Sequence, residues 1–112
     1  GEVAVVIEQD PIALTLTGHE PALTPTGSVI QQTHRSIQPI AKIPLLLAAN
    51  TENGGNGLAF EGTSFGQPMA VAATDDAENA YRMGYTACRE GAALGLNWSF
   101  APIVDVNFEF HN

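Results

Sequence analysis

Lys42-Ile-Pro-Leu-Leu-Leu-Ala-Ala49, running directly into Asn50-Thr-Glu-Asn-Gly-Gly-Asn-Gly57, is the stretch from which the rest of the chain can be read. Its first half is continuously apolar, with no alternating polar positions, which is the pattern of a parallel strand covered on both faces. Its second half is polar and dense in glycine, and it begins where such a strand reaches its carboxyl end. In α/β folds that end is where ligands bind, because the loops converge there while the strand interiors are packed. A plainer reading makes the same loop a glycine-rich turn that only joins strand to helix.

Toward the amino terminus, Val29, Ile30, Thr33, Ile37 and Ile40 recur at roughly helical spacing and predict a helix over Ser28 to Ile40. Pro39 should end it, since proline pushes the preceding residue out of helical geometry. Asp10 to Thr26 holds Pro11, Pro21 and Pro25 with no stable period, which predicts an irregular segment. Val3-Ala-Val-Val-Ile7, a β-branched run bounded by charge and then Pro11, reads as a buried strand.

Toward the carboxyl terminus, Thr74, Asp75 and Asp76 mark a helix start, with Glu78 three residues after Asp75 as in a capping box. The helix is expected to reach Leu94 and to be terminated by Gly95. Its inner face would be Ala77, Ala80, Tyr81, Gly84, Ala87, Cys88 and Gly91, small residues that let a helix approach a sheet closely. Asn97 to Val106 then reads as a third strand. Strand, helix, strand, loop, helix, strand is the order of an α/β fold with parallel strands joined by right-handed crossovers. Three strands are an awkward stopping place, and Asn107 to Asn112 run on through Phe108 and Phe110 without a polar tail. The expectation is therefore that residues 1–112 are a truncated part of a larger domain.

Composition narrows the function. With 45% hydrophobic and 14% charged residues, the 112-residue chain is globular rather than disordered. Twelve acidic against four basic residues, a formal charge of −8, argues against nucleic acid and anionic membrane as partners, since both need clustered Lys and Arg. A neutral ligand fits better. The single Cys88 leaves no internal disulfide and reads as a small buried side chain. No stretch is long enough to span a membrane, and Val3 to Ile7 is too short for the apolar part of a signal peptide. The chain begins at Gly rather than Met, so the compartment stays open, with the cytoplasm favoured.

In the Asn50–Gly57 loop, carboxylate and amide side chains beside flexible glycines can point several donors and acceptors at vicinal sugar hydroxyls. Phosphate fits poorly, because no Gly-Lys-Ser/Thr or G-x-G-x-x-G pattern and no basic residue accompanies the loop. Asp105 falls at the expected carboxyl end of the third strand, where it could face a ligand or simply bond backbone amides of the next loop. His19, His34 and His111 lie on different elements without metal-site spacing. Trp98 could stack on a sugar, though at the start of a buried strand a core position is the expectation. Ser64 lacks a G-x-S-x-G setting.

Three blocks, Ile43-Pro-Leu-Leu-Leu-Ala-Ala-Asn-Thr-Glu-Asn-Gly-Gly55, Glu61-Gly-Thr-Ser-Phe65 and Asn97-Trp-Ser-Phe-Ala-Pro-Ile-Val-Asp-Val106, occur in this order. Together they resemble the amino-terminal barrel of the family 3 glycoside hydrolases, which include β-N-acetylhexosaminidases and β-glucosidases. The resemblance covers about residues 42 to 107 and is loose before that. It implies a segment of a (β/α)8 barrel from a retaining exo-acting glycosidase that removes terminal β-linked N-acetylglucosamine or glucose, without metal or organic cofactor. In the family, the loop after this strand usually carries an Asp that binds hydroxyls of the sugar in the −1 subsite. Here the matching position is Asn50, whose amide can donate and accept but cannot supply a charge-assisted bond. Asn50, then Glu52, then Asp105 are the expected sugar contacts.

The family's nucleophile, general acid and Lys-His pair come from later motifs that do not occur in this sequence. A retaining mechanism needs two groups about 5 Å apart across the scissile bond. The chain alone is therefore expected to supply part of the substrate cradle and no catalytic residue. The alternative is a non-catalytic piece that folds by associating with itself or with the rest of a barrel, or that binds carbohydrate without cleaving it.

Overall fold

The computed structural model describes residues 4–8, 26–106 and 108. The expected irregular segment, apart from Thr26, lies outside these residues, as do His19 and His111. The described elements run β1 (Ala4–Glu8), α1 (Gly27–Ile37), a 3-10 turn (Gln38–Ile40), β2 (Leu45–Ala49), a second 3-10 turn (Gly55–Gly57), α2 (Pro68–Ala72), α3 (Ala77–Ala93) and β3 (Trp98–Ser99). The strands form one parallel sheet in the order β1-β2-β3, with Ala4 opposite Leu45, Glu8 opposite Ala49, and Ala49 opposite Ser99. The α/β alternation with parallel strands is thus as expected.

β2 sits in the middle and is buried from Leu47 onward, which explains why its sequence does not alternate. It begins at Leu45 rather than Lys42, because Pro44 has no N–H for a ladder. The Leu45 N–H is instead taken by the side-chain oxygen of Gln38 at 3.1 Å.

Ile30, Ala49, Leu58 and Ala59 form the buried core, with Leu94 and Leu96 packed against it. α1 buries Ile30 and His34, one turn apart, while Val29 and Ile40 are exposed. His34 was not anticipated in this role. Its Nδ1 donates to the carbonyl of Leu94 at 2.7 Å, and Gln31 Nε2 donates to Ala93 O at 2.6 Å. Side chains of α1 thereby satisfy carbonyls at the end of α3 that have no partner inside the helix. Pro39 ends α1 as expected, within the 3-10 turn.

α3 ends in a Schellman arrangement, with Gly95 N–H on Ala92 O at 3.0 Å and Leu96 N–H on Gly91 O at 2.9 Å. Gly95 has φ +99°, and a Cβ there would stand 3.0 Å from the Cβ of His34, so glycine is required twice over. At the other end the cap is Asp76, whose Oδ1 accepts the Glu78 N–H at 2.9 Å. The expected Asp75–Glu78 box does not form, since Asp75 takes a left-handed φ of 51° and Glu78 pairs with Arg82.

The buried face of α3 also differs from expectation. Ala87 and Gly91 are buried, but Ala77, Ala80, Tyr81, Gly84 and Cys88 are exposed, and the half-buried positions are Asn79, Met83, Thr86 and Glu90. The helix packs against the Gly55–Gly57 turn and α2, and this rotates the small-residue stripe away from the packed side.

β3 is shorter than the expected Asn97–Val106 strand. β2 ends at Ala49, so there is no backbone to pair with beyond Ser99 and the Phe100 N–H, which reaches Ala49 O at 3.2 Å. Pro102 then removes a donor. Trp98, expected in the core, is 42% exposed and leans on Phe100 at 5.5 Å between ring centroids. Among the described residues, no helix is long and apolar enough to cross a membrane.

Candidate functional site

The Asn50–Gly57 loop leaves the carboxyl end of the central strand, as its sequence predicts. Its first turn closes with the Gly54 N–H on Thr51 O at 3.0 Å, and the 3-10 turn follows. The loop then folds back so tightly that a Cβ on Gly57 would stand 2.1 Å from the carbonyl oxygen of Asn50. Gly57 therefore serves close approach of backbone to backbone rather than flexibility.

Thr51 is the anchor. It is buried, and its Oγ1 shares a 2.7 Å hydrogen bond with the hydroxyl of Ser99, which in turn accepts the Ala101 N–H at 3.1 Å. One hydroxyl pair thus joins the loop that follows β2 to the end of β3. Asn50 and Glu52 flank this anchor, and both are half-buried. Farther along, no group among the described residues donates to the buried Oδ1 atoms of Asn53 and Asn56. Buried polar atoms are normally paired, so these two amides give the loop unused hydrogen-bonding capacity.

Asp105 is placed differently. It is exposed, six residues beyond Ser99, and no hydrogen bond among the described residues joins it to the loop. The sequence placed it at a strand end, and the early end of β3 removes that position. Asn50 and Glu52 are brought together on one loop, and Asp105 is not part of that grouping.

A cleft of about 210 Å³ opens between α3 and β3, walled by Thr51, Ala87, Cys88, Gly91, Trp98 and Ser99 among others. Neither Asn50 nor Glu52 lines it. Its walls are mostly small or apolar, whereas the chemistry able to orient a polar ligand lies in the loop beyond Thr51. The cleft and the polar loop are neighbours that share one residue. Among the described residues, no group of three His, Cys, Asp or Glu side chains could hold a metal ion.

Residues 4–112 match the Glycosyl hydrolase family 3 N terminal domain. The chain belongs to this family. A Cellulomonas fimi protein named beta-N-acetylglucosaminidase/beta-glucosidase is 38% identical to it over 89 residues. That match takes in 80% of this chain but only 16% of the relative's length. The resemblance read from three sequence blocks therefore holds, and the family match reaches back to Ala4, into the region where those blocks gave only a loose likeness.

Three features of this family 3 domain were not legible as functional in the sequence. Glu90, a half-buried acid in the middle of a helical pattern, reaches the Glu61–Phe65 segment through Thr63. Asn97 turns its side chain onto β2, with Oδ1 accepting Leu47 N–H at 2.9 Å and Nδ2 donating to Leu45 O at 3.0 Å. Glu61 accepts the Gly27 N–H at 3.1 Å and so serves the start of α1, where Thr26 makes no side-chain cap. A charged or amide residue interrupting an apolar pattern was the available signal in each case. Its partner, 27 to 52 positions away, was not.

Proposed function

We propose that this chain forms the first part of a (β/α)8 barrel in a retaining exo-glycosidase that hydrolyses terminal β-linked N-acetylglucosamine or glucose. It contributes part of the −1 sugar subsite. The observation that carries this reading is the loop at the carboxyl end of β2, in a chain of family 3. There Asn50 and Glu52, both half-buried, flank a Thr51 that is anchored to Ser99. Sugar hydroxyls are donors and acceptors at once and can meet an amide and a carboxylate grouped in this way.

Asn50 is the first choice for a sugar contact, Glu52 the second and Asp105 the third. Asp105 would act from the segment after β3 rather than from a strand end. The sequential strand order β1-β2-β3, all parallel, is what successive strands of a barrel require. The nucleophile and general acid would come from outside these 112 residues, and the glycosyl-enzyme intermediate would form there. The choice between the two sugars follows the name of the Cellulomonas fimi relative, which carries both.

The test is hydrolysis of p-nitrophenyl β-N-acetylglucosaminide and β-glucoside by this chain alone and by a chain extended through the later family motifs. Turnover only by the extended chain is the expected result, and the faster substrate names the sugar. No turnover by either, with both folded, would refute the reading.

A second reading is favoured by one specific feature. Ile103, Val104, Val106 and Phe108 are all more than half exposed. Such a run calls for cover, either by further barrel elements or by a second copy of the chain. Sedimentation of the chain alone, expected to reveal association, separates a self-covering piece from a stable monomer.

A further inference from the structure

Glu90 lies on α3, outside the candidate loop, yet both of its carboxylate oxygens are spent on the segment that straps it. Oε2 accepts the Thr63 N–H at 2.9 Å and Oε1 accepts the Thr63 hydroxyl at 2.5 Å. The strapping segment in turn holds the loop at two points. Thr63 O accepts the Asn56 N–H at 3.3 Å, and the Phe65 N–H reaches Asn53 O at 2.8 Å. These two residues carry buried side-chain Oδ1 atoms that have no donor among the described residues.

The carboxylate also sits directly on the loop. A Cβ added to Gly55 would meet Glu90 Oε2 at 1.9 Å and Glu90 Cβ at 3.0 Å, so the bare backbone of Gly55 is what admits the acid. The Thr51–Ser99 hydroxyl pair fixes the start of the loop, and the bonds from Thr63 and Phe65 fix its later part. Asn50, Glu52, Asn53, Asn56 and Gly57 are only half-buried, and the apolar anchors Leu58 and Ala59 come after the turn. α3, by contrast, is the longest described helix and is capped at both ends. A side chain on such a helix is a rigid reference point for a polar loop.

We propose that Glu90 is a positioning residue, acting through Thr63 to hold the Asn50–Gly57 loop, and with it Asn50 and Glu52, in the arrangement that meets the sugar. This rests on the sugar-contact role proposed above for the loop. Glu90 is set against Thr63 and the backbone of Gly55, and it acts on the loop rather than on the sugar.

The experiment uses a protein that carries this chain together with the later family motifs and measures KM and kcat for p-nitrophenyl β-N-acetylglucosaminide well below the melting temperature. Glu90→Ala is expected to raise KM about tenfold with kcat changed less than about twofold, as loss of a charge-assisted pair that orders only the ground-state cradle would do. Glu90→Gln, which can keep both bonds to Thr63 with its hydroxyl rotated, should restore KM to within about twofold. Thr63→Val, a milder cut of the same link, should move KM in the same direction and serves if Glu90→Ala does not fold.

Asn50→Ala is the benchmark for the underlying reading. If Asn50→Ala raises KM while Glu90→Ala and Thr63→Val only lower the melting temperature, the loop binds sugar and Glu90 is structural, which overturns the proposal. If Asn50→Ala leaves KM unchanged as well, the loop does not contact the sugar, and the proposal falls together with the reading it rests on.

Discussion

Asn97 gives the sharpest stability test, because its side chain stands in for a piece of strand. In the parallel ladder, Leu45, Leu47 and Ala49 turn their backbone groups toward β3, but β3 offers only Trp98 and Ser99 as strand residues. Asn97 fills the gap. Its own N–H donates to Leu47 O at 3.1 Å, its Oδ1 accepts Leu47 N–H at 2.9 Å, and its Nδ2 donates to Leu45 O at 3.0 Å. Asn97→Ala removes the last two bonds and leaves the N–H of the buried Leu47 without an acceptor. An orphaned buried donor costs about 1–3 kcal/mol, and the low end applies because Asn97 is exposed and water can reach the break. The bond to Leu45 O, nearer the surface, adds about 0.5 kcal/mol.

The expected loss is therefore about 1.5–2 kcal/mol, or roughly 6–16 °C in melting temperature for a domain of this size. Asn97→Asp keeps an acceptor for Leu47 N–H but turns a second oxygen toward Leu45 O, so it should lose stability too, by about 1 kcal/mol. Urea unfolding followed by Trp98 fluorescence and circular dichroism measures both variants. An Asn97→Ala loss below about 0.5 kcal/mol, or Asn97→Asp more stable than the native chain, would refute the surrogate-strand argument.

The loop and the helix that braces it yield three further tests. Gly55→Ala drives a methyl into the Glu90 carboxylate, 1.9 Å away, and should cost about 1–2 kcal/mol in urea unfolding as the bonds to Thr63 give way; a neutral result would mean that Glu90 is not seated there in solution. Asn50→Asp installs the carboxylate that the resemblance to family 3 implies for this position. Because a charge-assisted bond is about twice as strong as a neutral one, kcat/KM in the extended protein should rise about tenfold, and a fall would show that the amide is the better ligand here. Cys88 is exposed on the open side of α3 and should react with a thiol reagent at one equivalent per native chain. Labelling that needs urea would place a covering partner, whether a second copy or further barrel, over that face.

The elements were legible wherever a local pattern decides them. The apolar run before Asn50 is a central strand, Pro39 stops α1, and Gly95 stops α3, because strand burial, the missing N–H of proline and the left-handed φ of a helix cap are written into single residues or short runs. The family was legible for the same reason, since its blocks are contiguous, and so was the place of the polar loop after β2.

Orientation and reach were decided only in the folded chain. The small-residue stripe of α3 looked like an inner face, but a helix buries whatever side its neighbours meet, and the loop at Gly55–Gly57 meets Glu90, while Gly84 faces open space and Cys88 is exposed. β3 ended early because a strand needs a partner as well as a propensity, and β2 stops at Ala49. His34, Asn97, Glu61 and Glu90 carry bonds across 27 to 60 positions of sequence. A periodicity of two or of 3.6 residues records which way a side chain points on its own element, and it contains nothing about which distant backbone amide will come within 3 Å.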